Sequence, residues 1–136
     1  MKKYLNIAMI YAAAAMIGGV FYREFTKFYQ YTGVTALGKV HTHLFILGMI
    51  VFLIVALYAK NMKLEEQKTF RPFMILYNIG LAGMAVMLIV RGVPQVMGTA
   101  LSSAASAMIS GIAGLAHICL GIGIVLLTVT FQKCAE

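Results

Sequence analysis

Four long apolar stretches dominate the chain, about Tyr4 to Tyr22, about Leu37 to Ala59, about Phe73 to Val90 and about Ala107 to Phe131. Crossing a hydrocarbon core roughly 30 Å thick takes about 20 residues of helix. Lipid cannot hydrogen-bond an exposed backbone, so a helix is the form such stretches take there. The third is the shortest, and Arg91-Gly92-Val93-Pro94 predicts a helix stop: a charge, a flexible residue and a missing donor in succession. Apolar residues make up 62% of the 136 and charged residues only 11%. Soluble domains run nearer roughly 45–50% apolar, so the composition agrees with the pattern. The expected fold is all-α: one integral-membrane four-helix bundle occupying residues 1–136, with no extramembrane domain to carry chemistry. Met1-Lys2-Lys3 and the apolar run through Ala12–Ala15 have signal-peptide character, and are read as a retained first span.

The net charge of +7 is spread singly or in short clusters between the spans, which excludes a nucleic-acid footprint and reads as topology. With the N-terminus inside, Lys2, Lys3, Lys60, Lys63, Lys68, Arg71 and Lys133 face the cytoplasm, against Arg23, Lys27, Lys39 and Arg91 outside. Lysine and arginine favour the cytoplasmic side, so both termini are expected there. The four outer cations share one membrane face with only Glu24, so they either anchor lipid phosphates or neutralise an anion held there. Cys119 and Cys134 have neither CxxC spacing nor a Cys-x-x-Cys-His, which supports neither a disulfide framework nor covalent haem attachment.

All three histidines, His41, His43 and His117, fall inside predicted spans, where an ionisable group needs a partner or a cavity. The chain contains no Asp, and Glu24, Glu65, Glu66 and Glu136 lie outside the apolar runs. Carboxylate-oriented triads and two-metal sites are therefore excluded. Neutral imidazole remains, as a metal ligand or hydrogen-bonded to hydroxyl or backbone groups. His41 and His43 stand about 200° apart round a helix and cannot chelate one ion together. Either each serves a separate groove, or one lines the core while the other meets headgroups. His117 sits between Ala113 and Gly121, one turn away on either side. Those small residues clear a flat surface for a macrocycle, or simply let helices pack closely. By rise per residue, His41 and His43 lie roughly 6–9 Å below the outer end of their span and His117 about 15 Å down its own.

The segment Lys39-Val40-His41-Thr42-His43-Leu44-Phe45-Ile46-Leu47-Gly48 resembles the second helix of the membrane subunit of heme-copper oxidases and nitric oxide reductases. The whole chain also resembles a family of small four-span bacterial membrane proteins of unassigned function. In the oxidase superfamily the large subunit consists of three four-helix units in pseudo-threefold array, and two histidines separated by one residue hold two different haems. The resemblance therefore implies a homotrimer in the bacterial cytoplasmic membrane. Each interface would hold a non-covalent b-type haem between His41 of one chain and His43 of its neighbour, the two metal ligands. It implies an electron-transfer or other haem-based redox role, with a quinone or another carrier as a possible partner. Arg91 and Arg23, then Lys27 and Lys39, are the cations for outward-pointing haem carboxylates, and His117 is a further cofactor-binding residue. The chain departs from that superfamily in lacking a three-His copper site and a His-Pro-Glu-Val-Tyr segment, so copper-dependent oxygen reduction is not expected.

Two other readings stay open. Ten methionines suggest copper or metal-ion handling, since thioether and imidazole both bind Cu(I), although Met84 and Met87 are the only close pair in the spans. A cofactor-free structural protein would use Gly18, Gly19, Gly80, Gly83, Gly111 and Gly114 for helix contact.

Overall fold

A computed structural model describes residues 1–135, all of them in helices and short connections. Four helices are long and apolar enough to cross a membrane: α1 (Lys2–Phe28), α2 (Ala36–Asn61), α3 (Phe70–Met97) and α4 (Ser103–Ala135). The chain is a multi-pass membrane protein. Its helices hold 26 to 33 residues, about 39–50 Å at 1.5 Å per residue. Each outlasts the expected span by a turn or more, so ends project into the headgroup region or the helices tilt.

The largest departure from expectation is at the C-terminal end of α3, which runs straight through Arg91-Gly92-Val93-Pro94 to Met97. Pro94 removes one backbone donor, but only three residues of helix follow it, so little of the ladder is lost. The stop lies at Gly98 instead, whose φ of +68° is the left-handed conformation that glycine adopts freely. Its N–H and that of Thr99 both turn back to the Pro94 carbonyl.

Neighbouring helices pack in chain order. Ala15, Gly18 and Gly19 on α1 admit the N-terminal part of α2, where a Cβ on Gly18 would touch Val40 at 3.4 Å. Deeper down, Gly48 lies so close to the Tyr11 ring that a Cβ would reach Cγ at 2.5 Å. Between α3 and α4 it is backbone that approaches: a Cβ on Gly80 would meet the Ala116 carbonyl and the Leu120 nitrogen, each at 2.8 Å. Small residues matter here because lipid is as apolar as the side chains, leaving contact rather than water exclusion to hold helices together. Within that frame Phe52 of α2, fully buried, sits among Tyr11 of α1 and Phe73 and Tyr77 of α3, with ring centroids 5.7–6.2 Å away. Hydrogen bonds cross the same layer, from Tyr11 Oη to Asn78 Oδ1 at 2.7 Å and from Tyr77 Oη to the Leu47 carbonyl at 2.8 Å.

α4 buries only one seam, Ile109, Ala116, Leu120, Gly123, Leu127 and Thr130, which faces α3 and, at its C-terminal end, the start of α3 and the end of α2. Thr69 and Thr130 share a hydrogen bond of 2.6 Å there, and the Phe131 ring stacks on Tyr58 of α2 at 4.2 Å. The rest of α4 faces outward. Gly111, Gly114 and Gly121 have nothing within 4 Å of where a Cβ would stand. Of the six glycines that a cofactor-free structural reading would use for helix contact, Gly18, Gly19, Gly80 and Gly83 lie against another helix, whereas a Cβ on Gly111 or Gly114 would meet nothing within 4 Å.

Candidate functional site

The N-terminal end of α2 is built to hold its histidines still. Thr35, 3% exposed, caps the helix by accepting the Leu37 N–H, and its hydroxyl lies 3.2 Å from the Gly92 carbonyl and 3.0 Å from Gln95 Oε1. Gln95 Oε1 also takes the Ala36 N–H at 2.8 Å, so the last turns of α3 clamp the first turn of α2. Gly92 permits this because a Cβ there would lie 2.3 Å from the Leu37 nitrogen. Beyond a tight turn over Ala36–Lys39, one α-helical turn carries Val40–His43, and a wide π-helical stretch follows over Leu44–Ile50. Such wide turns commonly adjoin functional residues, because one extra residue re-aims the side chains on either side.

His41 and His43 leave this turn on different sides. His41 turns towards α1, where its ring lies 3.7–3.9 Å from the position of a Gly19 Cβ and nearly parallel to Tyr22 at 6.5 Å between centroids. Its Nδ1 is buried and has no hydrogen-bond partner, the one such side-chain atom among the described residues. A buried polar atom without a partner costs about 1–3 kcal/mol, so the position calls for a ligand or water. His43 instead turns to a shallow groove of about 220 Å³ with Thr42, Ile46 and Leu47. Its Nδ1 lies 2.7 Å from the Lys39 carbonyl. A carbonyl only accepts, so Nδ1 carries the proton, and Nε2 of the neutral ring is left as a bare lone pair. Holding one ring nitrogen through backbone is how metal-binding imidazoles are commonly oriented and kept in one tautomer.

His117 has the same arrangement on an exposed face of α4, with Nδ1 2.8 Å from the Ala113 carbonyl. It borders a cleft of about 270 Å³ between α3 and α4, walled by Met84, Leu88 and Ile109. Arg91 enters the same cleft and donates to Ser110 Oγ at 2.6 Å and, more weakly, to the Ser106 carbonyl at 3.4 Å. Both partners are neutral. Met84 and Met87 also border the cleft, which places two thioethers with an imidazole, but the guanidinium beside them is a poor neighbour for a copper cation.

His41 and His43 thus share one helical turn with opposed aims, and His117 and Arg91 meet in a different place. Neither groove includes residues of the other. Lys39 is exposed at the head of α2 and supplies its carbonyl to His43. Arg23, with its side chain 81% exposed near the C-terminal end of α1, lies 3.7 Å from Glu24. Among the described residues no three His, Cys, Asp or Glu side chains gather into a cluster. Sequence reasoning did not pair His117 with Arg91. Their meeting depends on the stagger of α3 against α4, which Gly80 and Gly83 set by close approach to Ala116.

A family model described as a protein of unknown function, DUF2871, matches residues 1–134. No curated protein and no solved structure matches the chain.

Proposed function

We propose that this chain, which belongs to the DUF2871 family of proteins of unknown function, is the protomer of a membrane b-type haem protein with a redox role. The observation that carries the reading is His43: an imidazole on an outward groove, fixed through Nδ1 to the Lys39 carbonyl at 2.7 Å, with Nε2 bare. A lone pair so placed in lipid has no water to bind and suits a metal ligand supplied from a neighbouring surface. His41, on the other side of the same turn, is the second ligand and would bind through Nε2, because its Nδ1 is buried within the protomer. Because the two rings point apart, each haem lies between His41 of one protomer and His43 of the next, and a closed ring of three follows the resemblance to the oxidase subunit.

A haem ligated by two imidazoles supplies a one-electron couple, tuned by burial and by hydrogen bonds to its ligands. The chain's own part is to fix ligand orientation through the Lys39 carbonyl. It also sets out Lys39 and Arg23 at the outer end, where haem carboxylates would meet them. The surplus of lysine and arginine on one side supports both termini in the cytoplasm, and the resemblance supports the bacterial cytoplasmic membrane.

Visible spectra test this directly. Protein purified with haem supplied should show sharp, split bands on reduction and hold one haem per chain. His41→Ala and His43→Ala should each abolish those bands while the protein still elutes as a folded species. A colourless wild-type protein after haem addition would refute the reading.

A further inference from the structure

The cleft between α3 and α4 has a chemistry that the interface haem does not use. Arg91 lies six residues before the end of α3, about 9 Å along the helix, with only neutral oxygens for partners. Among the described residues no carboxylate pairs with it. One turn deeper stands the His117 ring, held at the Ala113 carbonyl; Ser110 and Ala113 are three residues apart, about 4.5 Å of rise. The cleft thus offers a charged donor at one end, a hydrogen-bond acceptor at the other and thioether and aliphatic walls between. Its volume of about 270 Å³ lies just below the roughly 300–1,000 Å³ typical of small-molecule sites, enough for a single ring.

We infer that this cleft binds the head group of a lipid-soluble quinol. A para-dihydroxy ring carries one oxygen at each end of a flat apolar body, as the cleft requires. One oxygen accepts from Arg91, and the opposite O–H donates to His117 Nε2. The tautomer makes the site selective for redox state. With its proton committed to Ala113, the neutral His117 ring can accept at Nε2 but has nothing to give. A quinone, which offers only acceptors, would set oxygen lone pair against nitrogen lone pair. Arg91 does not discriminate, since both forms present it an oxygen. The inference concerns binding alone and does not depend on haem at the α2 histidines.

The test uses the full chain in nanodiscs of phosphatidylcholine, under anaerobic conditions, with a short-chain benzoquinol and the matching quinone as probes. Retained ligand is measured by chromatography over a range of concentrations. The wild type should bind quinol about tenfold more tightly than quinone, the effect of roughly one hydrogen bond made rather than opposed. His117→Ala should weaken quinol about tenfold and leave quinone unchanged, erasing the preference. His117→Gln, whose amide can either accept or donate, should restore quinol affinity without restoring the preference. Arg91→Ala should weaken both forms alike. Equal binding of the two forms by the wild type, or a His117→Ala variant that weakens both equally, would overturn the inference. So would loss of a haem spectrum in His117→Ala, which would put that imidazole on iron, or displacement of quinol by phosphatidylglycerol at Arg91. Haem bands that persist while quinol selectivity is absent would sink this site and leave the haem reading standing.

Discussion

Replacing Gly92 with alanine tests whether α3 sets the position of the histidine turn. A Cβ on Gly92 would lie 2.3 Å from the Leu37 nitrogen, 2.5 Å from its Cβ and 2.7 Å from its Cα, so it meets backbone rather than a side chain that can swing aside. Restoring ordinary contact moves the first turn of α2 away by about 1 Å, which strains the Thr35 and Gln95 clamp. Overpacking of this kind costs about 1–3 kcal/mol. Against it stands the gain of about 0.5–1 kcal/mol expected when alanine replaces glycine within a helix. The steric term wins, leaving a net loss of up to about 2.5 kcal/mol. Gly114→Ala is the control: nothing lies within 4 Å of its Cβ position, so the isolated chain should keep its stability or gain slightly. Thermal unfolding in detergent, followed by far-ultraviolet circular dichroism, should rank the two on opposite sides of the wild type. Gly92→Ala melting at or above the wild-type temperature would refute the claim that α3 and α2 touch backbone to backbone there.

Two further predictions concern the polar ties in the apolar layer. Tyr77→Phe keeps the buried ring and removes only the 2.8 Å bond to the Leu47 carbonyl, so it should cost about 0.6 kcal/mol and no more than about 1.7, read by reversible unfolding in mixed micelles. Thr69→Val and Thr130→Val, alone and together, form a double-mutant cycle across the 2.6 Å pair that ties α4 to the head of α3. Their coupling should be about 0.6 kcal/mol, and a coupling of zero would show that each hydroxyl is satisfied by its own helix.

How much of this was readable in the chain divides along physical lines. The four spans follow from hydropathy, because membrane thickness fixes a minimum length that few other structures demand. Their ends do not. Pro94 signals a stop, yet a proline so near a helix terminus removes little, and the left-handed Gly98 ends the helix four residues later. The opposed aims of His41 and His43 follow from rotation per residue over one regular turn. The wide stretch from Leu44 to Ile50 leaves no mark in composition. The meeting of His117 with Arg91 rests on how two helices are staggered, and that is fixed by where Gly80 allows backbone to approach backbone. Glycine positions are plain in the chain, but nothing in them names which helix will come close. Gly111 and Gly114, contact residues in a cofactor-free structural reading, lie open.

The π-helical stretch amounts to a single residue inserted between the two halves of α2. Forcing those residues into a regular ladder without removing one would shift the phase of everything below it by about 100°. Phe52 would then leave its nest of rings, although the imidazoles above would keep their own turn intact. The outer half of that rod and its anchoring lower half are keyed to each other by this one supernumerary peptide unit.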